Sequence, residues 1–171
     1  KIAFEKAGII KEKTPVIIGE NGNENIKNIF AETAKEKNAP IYFAEEHALR
    51  HSSYEKILKN AELKGFYQQK NIKTVLTGID VLIDLGYSIK KENILVGTQN
   101  VCSLTGLMGR WQIIANNPLT IADTGHNEAG IAYVVQQLRE LKANKIRIVF
   151  GMVNDKDIQA VLSLMPKEAI Y

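Results

Sequence analysis

A chain of 171 residues, 45% hydrophobic and 24% charged, carries enough apolar side chains for a packed core of one large or two small domains and too little charge excess to stay disordered. Its 22 basic and 19 acidic residues are spread along the whole length, so the formal net charge of +3 forms no stripe that would neutralise a phosphate backbone, and nucleic acid is not an expected partner. The single cysteine, Cys102, excludes an internal disulfide framework and fits a reducing compartment, which makes the cytoplasm the expected location.

No apolar run approaches the ~20 residues that span a bilayer. The opening "KIAFEKAGIIKEK" also lacks the apolar stretch and small-residue cleavage site of a secretion signal, so no membrane association is expected. The chain starts without Met and stops at "MPKEAIY", just where a helix has ended and a strand begins, and a piece of a longer protein is expected.

In chain order, "TPVIIGE" (14–20) is a β-branched apolar run closed by Gly19 and reads as a buried strand. Asn21 to Asn25 supply turn and cap residues for a helix over 24–37, whose Ile26, Ile29, Phe30, Thr33 and Ala34 recur at three- and four-residue spacing. "APIYFAE" (39–45) reads as a second buried strand, and the polar stretch 46–66 as a loop with a short strand or hairpin. Over 71–87, Ile72, Val75, Leu76, Ile79, Leu82 and Ile83 define one side of a long helix that stops at Gly86, and "SIKKENILVG" (88–97) predicts a shorter helix capped by Ser88. "QNVCSLTGLMGRWQ" reads as a linker. The pattern then restarts as strand (119–122), helix (129–142), strand "IRIVFG" (146–151) and a helix over 155–165, where Asp155 can cap and Ile158, Val161, Leu162 and Met165 form the inner face. Strands alternating with helices predict parallel sheet covered on both sides, here as two α/β units joined near residues 99–113.

In open α/β sheets ligands collect beyond the carboxyl ends of strands. Asp123 ends the strand "LTIA", and "TGHN" leads into a helix. Asp123 can accept from a ribose hydroxyl or hold a metal-bound water, His126 and Asn127 can contact phosphate or substrate, and the amides at 128–130 favour an anion. The plainer alternative is that Asp123 or Asn127 caps the helix. Arg110, between Gly109 and Trp111 in "GLMGRWQ", can fork onto phosphates or be a surface Arg beside a core Trp. Asn71 in "YQQKN" can read an adenine edge or cap the long helix. Lys6 in "EKAGIIK" is by itself a surface charge, although a lysine near a metal or basic cluster can become chemically useful. His47 and His51 are four apart without a third ligand and read as solvated surface. No GxxxxGK[ST], GxGxxG, CxxC or GxSxG stretch is present, so the chain holds no complete nucleotide cradle of its own.

Together, "IAFEKAGIIKEKTPVIIG", "YQQKN", "GRWQ", "DTGHNEAG" and "FGMVNDKD" resemble, in this order, the folylpolyglutamate synthase family, including its bifunctional form that is also a dihydrofolate synthase, within the wider group of muramyl-peptide ligases. The family commonly has Gly-Ala where this chain has Thr124 and Gly125, a departure that spares Asp123, His126 and Asn127. The resemblance implies an α/β fold in which residues 1–98 end a central ATPase-type domain, 99–113 are the linker, and 114–171 begin a Rossmann-like C-terminal glutamate-ligase domain. It implies a monomeric parent enzyme that uses ATP and Mg²⁺ to join L-glutamate to dihydropteroate or a folate through an acyl phosphate, with this piece inactive by itself. By the same resemblance Lys6 is carboxylated and its carbamate holds magnesium, Asn71 meets the adenine, Arg110 the phosphates, Asp123 the nucleotide, and His126 the nucleotide or glutamate.

Another muramyl-type amino-acid ligase would share this chemistry. A non-catalytic nucleotide-binding module would explain the missing phosphate loop differently, and a dinucleotide-dependent hydride-transfer enzyme is disfavoured by the missing GxGxxG.

Overall fold

A computed structural model describes residues 2–20, 22–48, 53–153 and 158–171. The chain divides into two compact units, one made of Lys1–Ala61 with Gln69–Asn100, the other of Glu62–Gln68 with Val101–Tyr171. Among the described residues no helix is long and apolar enough to cross a membrane.

In the first unit, α1 (Ile2–Ala7) precedes β1 (Val16–Ile18), α2 (Glu24–Glu36) and β2 (Ile41–Phe43), and β1 pairs with β2 in parallel, Ile17 opposite Tyr42. A parallel pair needs a crossover, and α2 supplies it. The Asn23 side chain caps α2 by accepting from the Ile26 N–H. At its other end Asn38 takes φ 49° while Ala39 and Asn38 donate back to the Ala34 and Lys35 carbonyls, a Schellman closure that sends the chain straight into β2. Phe30 and Ala34 on the inner face of α2 pack with Ala7, Ile10, Ile18 and Ala39.

In the stretch 46–66, expected to be a loop with a short strand or hairpin, the described residues include the end of α3 (Ala44–Ala48) and the whole of α4 (Ser53–Asn60), and no strand. The buried positions Tyr54, Ile57 and Ala61 form a narrow i, i+3, i+7 stripe that its polar neighbours conceal, and they pack on Ile72 and Leu76 of α5 (Gln68–Asp84). Val75, Leu82 and Ile83, expected on the inner side of α5, are exposed. Gly86 ends α5 in the left-handed region at φ 93°, as its position suggests. In α6 (Lys91–Gln99) the N-cap residue is Lys90, without a side-chain hydrogen bond, so Ser88 lies outside the helix and does not cap it.

In the second unit the stretch read as a linker carries secondary structure. Within 99–113 lie α7 (Val101–Thr105) and the start of β3 (Gln112–Asn116), which turns at Asn117-Pro118 into β4 (Leu119–Ala122) as an antiparallel hairpin with a register irregularity between Ile113 and Ala115. Parallel pairing in this unit is confined, among the described residues, to a bridge between Arg147 and Ile170, so "IRIVFG" forms no extended strand. α8 (Glu128–Glu140) and α9 (Ile158–Leu164) bury Ile131, Val135, Val161 and Met165 against one another, whereas Ile158 and Leu162 are exposed. Asp155, the expected cap of α9, lies outside the described residues.

The segment Glu62–Gln68 joins this unit by polar contacts. The Gln137 side chain, 8% exposed, accepts from the Phe66 N–H at 2.9 Å and donates to the Lys64 carbonyl at 3.0 Å. Glu62 accepts from the Cys102 N–H at 2.7 Å. Proximity to Glu62 and, above all, burial push the Cys102 thiol upward, away from the reactive thiolate.

Candidate functional site

In the first unit, a cavity of 670 Å³ opens where α1, β1 and the start of α5 meet. Apolar side chains of Ile2, Ile9, Ile10 and Phe30 form much of its wall, and Glu5, Lys6, Glu20, Lys70, Asn71 and Thr74 supply its polar groups. Lys6 and Asn71, far apart in sequence, thus share one cavity. Lys6 is exposed on the last turn of α1, and Lys70 pairs with Glu20 at 2.7 Å. Asn71 sits inside the first turn of α5, which begins at Gln68, so it is not the cap that composition suggested. Gly19 brings the backbone close: a Cβ there would lie 2.7 Å from the Thr74 hydroxyl.

The donor set bears on metal binding. Among the described residues no group of three or more His, Cys, Asp and Glu could hold a metal ion. Mg²⁺ does not require one, because it keeps several waters and takes one or two carboxylates plus substrate phosphates. A carbamate on Lys6, on the same cavity as Asn71, would be such an anionic oxygen donor, and the residues present fit that limited role.

In the second unit the chemistry-bearing residues lie on a loop stapled to itself. Asp123 Oδ2 accepts from the Trp111 N–H at 2.8 Å and from the Tyr67 hydroxyl at 2.9 Å, while Oδ1 accepts from the Gly125 N–H at 2.7 Å. The Gly109 carbonyl accepts from both the Thr124 N–H at 2.9 Å and the Thr124 hydroxyl at 3.1 Å. Gly109 and Trp111 are both left-handed, with φ of 67° and 51°, and Arg110 lies between them. Left-handed backbone is expensive for a bulky residue, so the bonds to Asp123 and the burial of Trp111, 7% exposed, are what hold it.

Asp123 is therefore a hub of the loop and not a helix cap. The cap is Asn127, whose Oδ1 accepts from the Gly130 N–H at 2.7 Å and starts α8. His126 is exposed, with Nδ1 3.0 Å from the Thr124 carbonyl. A carbonyl only accepts, so Nδ1 carries the proton and, in the neutral ring, Nε2 is left as an acceptor. Burial, then the bond to Asp123, pushes the Tyr67 hydroxyl up to about 12, which keeps it a donor at neutral pH.

Sequence reasoning passed over Tyr67 and Thr124 as partners of this loop. Tyr67 stands at the head of "YQQKN", where attention falls on the amides, and its contact with Asp123 spans 56 positions. His47 is also not the solvated surface residue expected. Its Nε2 lies 2.8 Å from Asp80, the carboxylate that also accepts from Tyr54, and that hydroxyl is pushed upward by burial and by Asp80. His51 lies outside the described residues.

Residues 109–170, which contain Arg110, Asp123 and His126, match the family model described as Mur ligase, glutamate ligase domain. Over nearly the whole chain the relatives are more particular. The chain is 29% identical to the dihydrofolate synthase/folylpolyglutamate synthase of Escherichia coli (strain K12), across 95% of this chain and 38% of that protein. E. coli FolC in complex with DHPP and ADP superposes with a TM-score of 0.71 at 23% identity, over 98% of this chain and 40% of that one. The bifunctional folylpolyglutamate synthase/dihydrofolate synthase with Mn, AMPPNP and L-glutamate bound gives 0.69 at 22% identity, again over 98% and 40%. The chain is thus related to the folylpolyglutamate and dihydrofolate synthases, shares their mixed α/β fold, and spans 38–40% of the length of these relatives.

Proposed function

We propose that the protein to which this chain belongs is an ATP-dependent ligase that adds L-glutamate to dihydropteroate or a folate through an acyl phosphate, and that these 171 residues are an inactive part of it when alone. The observation that carries this reading is the run of five motif stretches, in order, on a fold that matches proteins bound to ADP or AMPPNP. In such a reaction a pteroyl carboxylate oxygen bonds to the ATP γ-phosphorus as ADP leaves. The glutamate nitrogen then bonds to the acyl carbon, phosphate departs, and the nitrogen gives up a proton. The site must spread phosphate charge and keep water from the acyl phosphate.

The residues take roles consistent with their surroundings. Arg110, on a turn that cannot drift, would present its planar fork to phosphate oxygens. Asp123 uses its two oxygens for three internal donors; a carboxylate has about four acceptor sites, so one stays available for a ribose hydroxyl. His126, with Nε2 as an acceptor, would face the nucleotide or the glutamate amine. Asn71 would read the adenine edge in the cavity it shares with Lys6. Lys6, carboxylated, would contribute an oxygen toward Mg²⁺, which when bound neutralises phosphate charge. A cytoplasmic, monomeric enzyme acting on small molecules, without nucleic acid or membrane, completes the reading. Residues 1–98 would end its ATP-binding domain, 99–113 connect, and 114–171 begin the glutamate-ligase domain.

ADP release by the full gene product, given ATP, Mg²⁺ and L-glutamate with or without dihydropteroate or tetrahydrofolate, tests this directly. Release that requires both glutamate and a pteroyl acceptor is expected. Release supported instead by a muramyl-peptide acceptor, or no acceptor-dependent release, would overturn it.

A further inference from the structure

We propose that Tyr67 is a positioning residue for Arg110, acting through Asp123 on the backbone of the Gly109–Trp111 turn. The path is continuous and lies within one unit. The Tyr67 hydroxyl donates to Asp123 Oδ2, and that same oxygen receives the Trp111 N–H, the peptide directly after Arg110. On the other side of Arg110, the Gly109 carbonyl takes two bonds from Thr124, the residue after Asp123. Arg110 is thus held at both flanks by one dipeptide, and the tyrosine fixes the carboxylate of that dipeptide.

Without the tyrosine, Oδ2 retains only the Trp111 N–H, and the half-buried carboxylate gains by turning toward water. Trp111 would then lose the bond that compensates its left-handed backbone. The ring of Tyr67 has its own anchor: it lies against Tyr133 of α8, with centroids 6.4 Å apart. Replacing it by Phe removes one oxygen and leaves that packing. The upward-shifted hydroxyl stays protonated through the neutral range, so the positioning does not depend on pH there. The Thr124 hydroxyl adds a second bond to the Gly109 carbonyl beside that of its own N–H.

Trp111 is the single tryptophan of the chain and reports the turn directly. In the 171-residue protein, Tyr67→Phe is expected to roughly double acrylamide quenching of Trp111 fluorescence while the helical circular dichroism is retained, as for a local opening. Unchanged quenching would overturn the proposal. Should the Phe variant fail to fold, hydrogen exchange of the Trp111 amide in the unaltered protein decides: strong protection supports the proposal, and exchange at the rate of an open amide overturns it.

The second arm rests on the ligase reading and uses the full gene product. Tyr67→Phe should lower kcat/KM for ATP about tenfold, yet cause no further loss in an Arg110→Ala background, because the effect passes through Arg110. An additive pair, as expected for general destabilisation, would overturn the proposal. If the unaltered protein shows no acceptor-dependent ADP release, the ligase reading fails and the quenching arm still decides the placement of the turn.

Discussion

Around Lys6 and Asn71 the lining residues are mostly apolar or long and charged, isoleucines, a phenylalanine, Glu20 and Lys70 among them. Around Arg110 the wall is backbone, with the peptides of Gly109, Trp111, Thr124 and Gly125 all tied to one another or to Asp123. Two glycines expose the difference. At Gly19, whose backbone is not left-handed, an added Cβ meets Thr74 Oγ1 at 2.7 Å, a hydroxyl that donates to the Lys70 carbonyl at 3.1 Å. At Gly109 it meets Thr124 Cγ2 at 2.6 Å in a left-handed backbone, and Thr124 cannot turn without giving up its bond to the Gly109 carbonyl. A wall of side chains adapts to its ligand by rotamer changes; a wall of paired peptides presents one geometry.

The largest effect comes from the side chain that the rigid wall presents. Arg110→Ala in the full gene product should cut turnover about 10²- to 10³-fold, the scale of losing one preorganised charge-stabilising donor, with little change in thermal midpoint. Near-normal turnover would remove Arg110 from the chemistry. Gly109→Ala should cost about 2–4 kcal/mol by combining left-handed strain with overpacking, read as a lowered urea midpoint. Adding Thr124→Gly should recover the overpacking part, and failure to recover would mean the clash is not with Thr124.

Gln137→Leu should cost about 1–3 kcal/mol, because the Phe66 N–H and Lys64 carbonyl lose their partner. Protection of the Phe66 amide from hydrogen exchange should fall with it. Gly19→Ala, on the adaptable wall, should cost only about 1 kcal/mol, the low end for a packing insertion. A cost equal to that of Gly109→Ala would erase the distinction between the two regions.

The smallest effect is alkaline. The folded chain holds the Tyr67 proton more tightly than the unfolded chain, from an ordinary 10.0 up to about 12, so this contribution is complete below pH 10.0 and is lost as pH rises toward 12. Tyr67→Phe should flatten the decline of stability in that window. Tyr54, shifted the same way, continues to contribute in the variant, and an identical decline in both proteins would contradict the burial of the Tyr67 hydroxyl.

What could be read in advance were features decided within a turn or two of chain. The period of Phe30 and Ala34 marks the inner face of α2, Asn23 its start, and Gly86 the end of α5, because helix capping and left-handed closure depend on residues three to five apart. Asp123 and Asn127 were singled out as a pair, yet which was the cap and which the hub depended on where α8 begins. The helices of 44–60 escaped because three buried positions among polar ones give too narrow a stripe. The strand 119–122 was legible and is β4, whereas its antiparallel partner β3 escaped because it is largely exposed and lies in the stretch read as a linker.

By itself the sequence determined the α/β character of the chain, its long helices and the residues able to carry phosphate chemistry, since composition and periodicity act locally. The tertiary structure alone decided that Lys6 and Asn71 share a cavity, that Gln137 ties Lys64 and Phe66 into the second unit, and that Tyr67 reaches Asp123. Those pairings join residues tens of positions apart, and their energy comes from burying polar groups only when every partner is present, a condition no local pattern encodes.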